Sequence, residues 1–194
     1  MLVHGRAWDL VILFYFILFY YMNTVARRYV PDKLSKKDKI TQKKGIIKSQ
    51  KSYKKGEYIL HERVKYFKHK PSPHISRAEK LYNINIIKPT KELAKKTKCN
   101  IKGLHKIFKK GQGAYYSSGS RPNQTPHSWA YARLASSITG GKASGVDYHI
   151  LEKWCSTNSK ALKLAKKSLK KYKKGMKRVP QVSLSLKRNK TQKI

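Results

Sequence analysis

IKGLHKIFKKGQGAYYSSGSRPNQTPHSWAYARLASSITGG, residues 101–141, is the stretch on which the architecture turns. Its opening sets Ile101, Leu104, Ile107 and Phe108 at helical spacing, with Lys102, His105, Lys106, Lys109 and Lys110 between them. Gly111, Gly113 and Gly119, with Ser117, Ser118, Ser120 and Asn123, predict a loop in the 111–128 stretch. Glycine reaches backbone angles closed to other residues, and short polar side chains satisfy loop backbone groups. Thr125 is a predicted N-cap with Pro126 at the first helical position, and Gly140-Gly141 is a stop, so a helix is expected over 126–139. Ala130, Leu134 and Ile138 make its apolar stripe, with Trp129, Ala132, Arg133 and Ser136 beside it. A large aromatic among so many alanines makes Trp129 the expected main packing element of a small domain.

Working upstream, Pro89-Thr90 opens KELAKKTK, and Cys99-Asn100 separates it from the helix starting at Ile101. Two short helices joined by a tight turn are expected. In a helix-turn-helix the second would enter the major groove, and Lys102, His105, Lys106, Lys109 and Lys110 would meet bases or phosphates. Ser76 with Glu79 predicts a capping pair for a short helix through Tyr82. Downstream, Ser144 and Asp147 predict a capping box for a helix holding Val146, Ile150, Leu151 and Trp154. These elements delimit a small helical domain over 76–156, close to the lower size at which one hydrophobic core suffices. Residues 157–194 follow as a basic amphipathic helix and tail. The helix opens at Asn158, with Leu162, Ala165, Leu169 and Tyr172 on one face and lysines such as Lys166, Lys167 and Lys170 elsewhere.

At the other end, residues 7–26, AWDLVILFYFILFYYMNTVA, hold one charged side chain, Asp9. A helix of that length reaches ~30 Å, about the thickness of a bilayer's hydrocarbon core, and a single transmembrane anchor is predicted. Trp8, Leu10, Leu13, Phe14, Phe16, Ile17, Leu18, Phe19, Tyr20 and Tyr21 would face lipid or its interface, with Arg27 and Arg28 at the headgroups. The uninterrupted stretch from Leu10 to Met22 would also suit a buried core helix or a signal-peptide core. Basic residues after the span place the body on the cytosolic side. Residues 27–75 read as an extended lysine-rich arm, open to a helix over 36–55 and to a strand around Tyr58–Phe67.

The 194-residue chain carries 46 Lys+Arg against 9 Asp+Glu, a net charge of +37. Arg6 and Asp9 are the only such residues before Arg27, so the whole surplus lies in the body. Such a body repels itself unless it binds something acidic: nucleic acid, anionic lipid headgroups or acidic protein faces. With so few carboxylates, acid–base and metal-assisted chemistry are poorly provisioned, and no enzyme is expected. Asp147 and His149 with Ser117, Ser118 or Ser128 supply triad residue types, but no GxSxG elbow accompanies them, and neither GK[ST] nor GxGxxG occurs. No cofactor or metal is expected, since Cys99 and Cys155 lack partners at zinc spacing, and in a reducing compartment both should be buried thiols. Arg121, His127 and Arg133 are open to two roles, an anion pocket or bonds to loop carbonyls and to Tyr115 or Tyr116.

KLSKKDK from Lys33, KSYKKGEY from Lys51, SRAEKLY from Ser76, and the run from Glu92 to Leu151 with its SSGSRPNQTPHSW module follow one another in an order that resembles a poorly characterised protein of large icosahedral DNA viruses, including chlorella-virus-like ones. The resemblance implies a virion setting and carries no catalytic residues. Together with the anchor it gives a mainly α structural virion protein: one N-terminal transmembrane helix, an extended basic arm, a small helical domain, and a C-terminal basic helix and tail. In that role it is a minor capsid component, tethering the internal membrane to the shell through its polybasic body. It would lie between membrane and capsid, and in a host membrane during assembly. Its partners would be the lipid bilayer, the major capsid protein and other minor capsid proteins. The alternative is a DNA-binding genome-packaging protein with residues 90–110 as its reading head, and a third possibility is a host-membrane protein unrelated to virions.

Overall fold

Local capping chemistry sets most of the helix starts. In the computed structural model, which describes residues 24–68, 71–172 and 181–183, the chain runs β1 (Thr24–Ala26), a 3-10 turn (Arg27–Tyr29), α1 (Lys36–Tyr53), α2 (Pro73–Tyr82), α3 (Lys91–Thr97), α4 (Ile101–Ser118), α5 (Pro126–Ile138), α6 (Lys142–Val146), α7 (Tyr148–Trp154), α8 (Lys160–Tyr172) and β2 (Gln181–Ser183). Ser35 accepts from the Asp38 amide at the start of α1, Thr90 from Leu93 at α3, and Asn100 from Lys102 at α4. Thr125 and Ser128 make a reciprocal capping box at α5, with Pro126 at its first position. β1 pairs antiparallel with β2, Val25 opposite Val182.

Two apolar clusters hold these elements. The larger joins α2–α5, α7 and α8 around Leu93, Leu104, Ile107, Leu134, Ile138 and Leu151, and the Tyr82 hydroxyl donates to the Ile138 carbonyl at 2.7 Å. Ala161, Leu162 and Ala165 of α8 enter this core, so the basic amphipathic helix spends its apolar face on the domain itself. The Ser168 hydroxyl donates to the Gly140 carbonyl at 2.6 Å and fastens α8 further along. The smaller cluster gathers Val25, Tyr29, Val30, Leu34, Ile46, Ile47 and Val64, with Phe67 and Trp129 packed on it.

The mainly helical class stands, and four expectations are corrected. Residues Trp8 to Tyr21 of the expected anchor lie outside the described residues. Its last three, Thr24–Ala26, are a buried strand, with Val25 1% exposed, and among the described residues no helix is long and apolar enough to cross a membrane. The end of the greasy leader is thus consumed by the smaller cluster. The arm takes the helical alternative left open for it, over Lys36–Tyr53, and its 57–68 stretch runs without helix over the body. Trp129 packs edge-on to Tyr29, centroids 5.7 Å apart, and belongs to the smaller cluster rather than to the domain core. Ser76 and Glu79 lie inside α2, which Ser72 caps with Pro73 at its first position.

The glycine-rich stretch holds the fourth correction, because residues 111–118 continue α4 instead of forming a loop. Gly111 faces α5 at the helix crossing, where an added Cβ would stand 2.7 Å from the Ala130 Cα. Only a residue without a side chain lets the two backbones approach so closely. Gly111→Ala should therefore force the α4–α5 pair apart and destabilise the protein by ~1–3 kcal/mol, the usual range for overpacking. A thermal melt unchanged from wild type would refute this account of the crossing.

Candidate functional site

The α3–α4 junction is a three-residue turn. The Thr97 hydroxyl donates to the Leu93 carbonyl at 2.7 Å, Lys98 turns the chain in the left-handed region (φ 54°, ψ 40°), and Asn100 caps α4. Two backbone hydrogen bonds fasten this turn to the end of α7, from the Asn100 amide to the Trp154 carbonyl at 2.7 Å and from the Ser156 amide to the Lys98 carbonyl at 2.9 Å. Cys99 and Cys155, expected as separate thiols, are joined there by a disulfide. Antiparallel pairing of their backbones sets the two residues opposite each other, a proximity that their distance in sequence conceals.

From this pinned start α4 shows two faces. Leu104, Ile107, Gly111 and Tyr115 are buried. Lys102, His105, Lys106 and Lys109, spaced i, i+3, i+4, i+7, form an exposed basic stripe. Lys106 holds its ammonium 5.2 Å above the Trp154 ring, and Gly103, lacking a Cβ, is what allows Trp154 to lie against α4.

Lys110 leaves this stripe and turns inward. Its Nζ lies 3.0 Å from Oδ1 of Asp147, a residue with 0% exposure. Arg133 donates to both oxygens of the same carboxylate, from Nε to Oδ2 at 2.9 Å and from Nη2 to Oδ1 at 2.7 Å, and the Ser137 hydroxyl adds a bond at 2.8 Å. Burial alone would raise the Asp147 pKa. The Arg133 bonds and charge, with Ser137 and Lys110, outweigh it and hold the carboxyl below its ordinary value. Asp147 is therefore no capping residue for α7, since it makes no side-chain cap bond there.

The other expected site residues disperse. Arg133 is taken by Asp147, while Arg121 and His127 are exposed, His127 beside Gln112 and 6.0 Å from the Phe108 ring, so the three do not form one anion pocket. Arg27 lies 3.9 Å from Asp32, and Arg28 bonds the Tyr29 hydroxyl at 2.9 Å. Lys166, Lys167 and Lys170 line the outer face of α8. No triad is assembled: His149 is exposed, Asp147 is occupied, and the Ser128 hydroxyl bonds Gln124 and its own cap.

Asn123 of the SRPNQT module has a role that sequence reasoning missed. In the left-handed region itself (φ 58°), it accepts from the Val64 amide at 2.8 Å and donates to the Val64 and Phe67 carbonyls at 2.9 and 2.8 Å. It thus clamps the 64–67 segment onto the body as a paired strand would. Gln42 and His61 complete the same seam. The Gln42 amide donates to the carbonyls of Tyr29 and Ser120, and the His61 ring stacks on Tyr115 at 4.2 Å with Nδ1 3.2 Å from the Ser120 hydroxyl.

Residues 26–149 match the model of a family described as "Family of unknown function (DUF5824)", and the chain belongs to that family. No curated protein and no solved structure matches it.

His61 gives the seam a pH dependence. Burial pushes its pKa down to about 4 from an ordinary value of 6.5. Between those values the unfolded chain holds the proton and the folded one does not. The stability tied to this residue is therefore complete above about pH 6.5 and is lost as pH falls toward 4. The melting temperature should drop across that window, and His61→Gln should flatten the drop; a slope that the substitution leaves intact would show that the histidine is not its source.

Proposed function

We propose that this member of the DUF5824 family binds nucleic acid, with α3 and α4 as a helix-turn-helix-like pair and the outer stripe of α4 lying along phosphates. One observation carries this above all: Lys102, His105, Lys106 and Lys109 stand exposed on one face of a helix whose opposite face is buried and whose first turn is pinned by backbone bonds and a disulfide. Between Lys91 and Lys110 there are eight lysines and a single acid, Glu92. A row of lysines on a helix held by its buried face, in so basic a chain, calls for a polyanion of matching repeat, and a phosphate backbone has one.

Residue type narrows the mode of binding. The stripe contains no arginine, and lysine is a compact, rotatable charge rather than a planar fork that pairs with guanine. The contacts are therefore to phosphate, and binding is largely independent of sequence. A membrane tether rests on a span whose residues 7–23 lie outside the described ones, whereas the α4 stripe lies within them.

Replacing Lys102, Lys106 and Lys109 together by Glu should weaken binding and flatten its salt dependence. The slope of log affinity against log salt should fall by about 0.9 for each lost contact on duplex DNA, or about 0.7 on a single strand. Lys166, Lys167 and Lys170→Glu, which removes the same charge from α8, is the control. Equal losses from the two variants would reduce the interaction to diffuse attraction and defeat the assignment to α4.

A further inference from the structure

The stripe on α4 does not end at Lys109. Continued at alternating steps of four and three, Lys102, Lys106 and Lys109 lead to Gly113 and Tyr116, so one face changes from cationic to aromatic over ~21 Å of helix. At Tyr116 the chain brings in two more rings from α1 and the segment after it. Tyr53 lies parallel to Tyr116 (centroids 6.0 Å apart, 9° between planes), and Tyr58 stands edge-on to both, at 5.8 and 5.2 Å. Gly113 makes room for this, since a Cβ there would come within 3.1 Å of the Tyr53 hydroxyl oxygen.

Tyr58 is 67% exposed although two aromatic neighbours hold its ring in place. Lys54 and Lys55, both exposed, flank the cluster in sequence between Tyr53 and Tyr58. An oriented, solvent-facing ring at the end of a row of ammonium groups is the combination that single-stranded nucleic acid requires, because phosphates follow the charges while unpaired bases stack on the aromatic face. Bases inside a duplex are already stacked on one another and offer no free face.

We infer that the Tyr53–Tyr58–Tyr116 cluster is a stacking platform for unpaired bases, and that the nucleic acid bound along α4 is engaged as a single strand. This rests on the nucleic-acid binding proposed above and specifies its ligand.

The test compares two polymers of equal length and charge, oligothymidylate and an abasic deoxyribose-phosphate chain, binding to the full protein. Wild type should prefer the base-bearing polymer by roughly tenfold or more, the scale of one base–aromatic stack. Tyr58→Ala should erase that preference while leaving affinity for the abasic chain unchanged, and Tyr58→Phe should retain it. Because Tyr58 is largely exposed, its loss leaves both apolar clusters intact, and a melt matching wild type verifies this. No preference in wild type, or a preference that survives Tyr58→Ala, overturns the platform. Failure of the underlying nucleic-acid assignment is distinct: the Lys102, Lys106 and Lys109→Glu variant would then lose no more affinity for either polymer than the Lys166, Lys167 and Lys170→Glu variant does.

Discussion

A fully buried carboxylate in a chain of net charge +37 governs how the rest is arranged. Asp147 sits at the α6–α7 junction and takes Lys110 from α4 and Arg133 and Ser137 from α5, so one side chain ties three parts of the larger core. Removing it would leave the largely buried Arg133 without its counter-charge, a loss on the order of 3–5 kcal/mol for a broken buried pair, whereas Lys110, with its side chain 39% exposed, would be screened by water and add little. The pairing also sorts the basic residues. Lys110 and Arg133 are neutralised within the fold, and the lysines one turn away on α4 are left to face outward in a row.

What was legible in the sequence was what is decided locally. Thr125 announces a helix start because a cap needs only a side-chain oxygen and an amide two or three residues on, and the same chemistry at Thr90 and Asn100 opens α3 and α4. Gly111 and Gly113 were misleading because their reason is tertiary. The same residue type that permits a loop also permits close approach inside a helix, and only the positions of Ala130 and Tyr53 distinguish the two uses. A loop over 111–118 ends the expected helix at Lys109 and hides the alignment of Tyr116 with Lys102, Lys106 and Lys109.

Long-range partners account for the other misses. Val25 and Ala26 read as the end of a lipid-facing span, yet they are buried against residues of α1 and the arm, and hydropathy does not say which apolar surroundings a residue will find. Trp129 was rightly singled out as a packing residue and assigned to the wrong cluster, because its partner Tyr29 is far away in the chain. Asp147 presented the residue type of a cap or a catalytic acid, and its role emerged only with Arg133 and Lys110 beside it. The SRPNQT module was recognisable as a turn, while the use of Asn123 to hold Val64 and Phe67 depends on a segment about sixty residues earlier.

Function follows from this sorting of charge and aromatic surface. One face of α4 is held by apolar packing, the disulfide and the Asp147 ion pairs, and its opposite face offers lysines that lead to tyrosines. The most direct measurement is photochemical cross-linking of the full protein to a uridine- or thymidine-rich strand, with the attachment sites located by mass spectrometry. Attachment at Tyr58 or Tyr116 and along Lys102–Lys109 is the predicted result; attachment confined to α8 and the residues beyond it, with α4 untouched, would contradict the account.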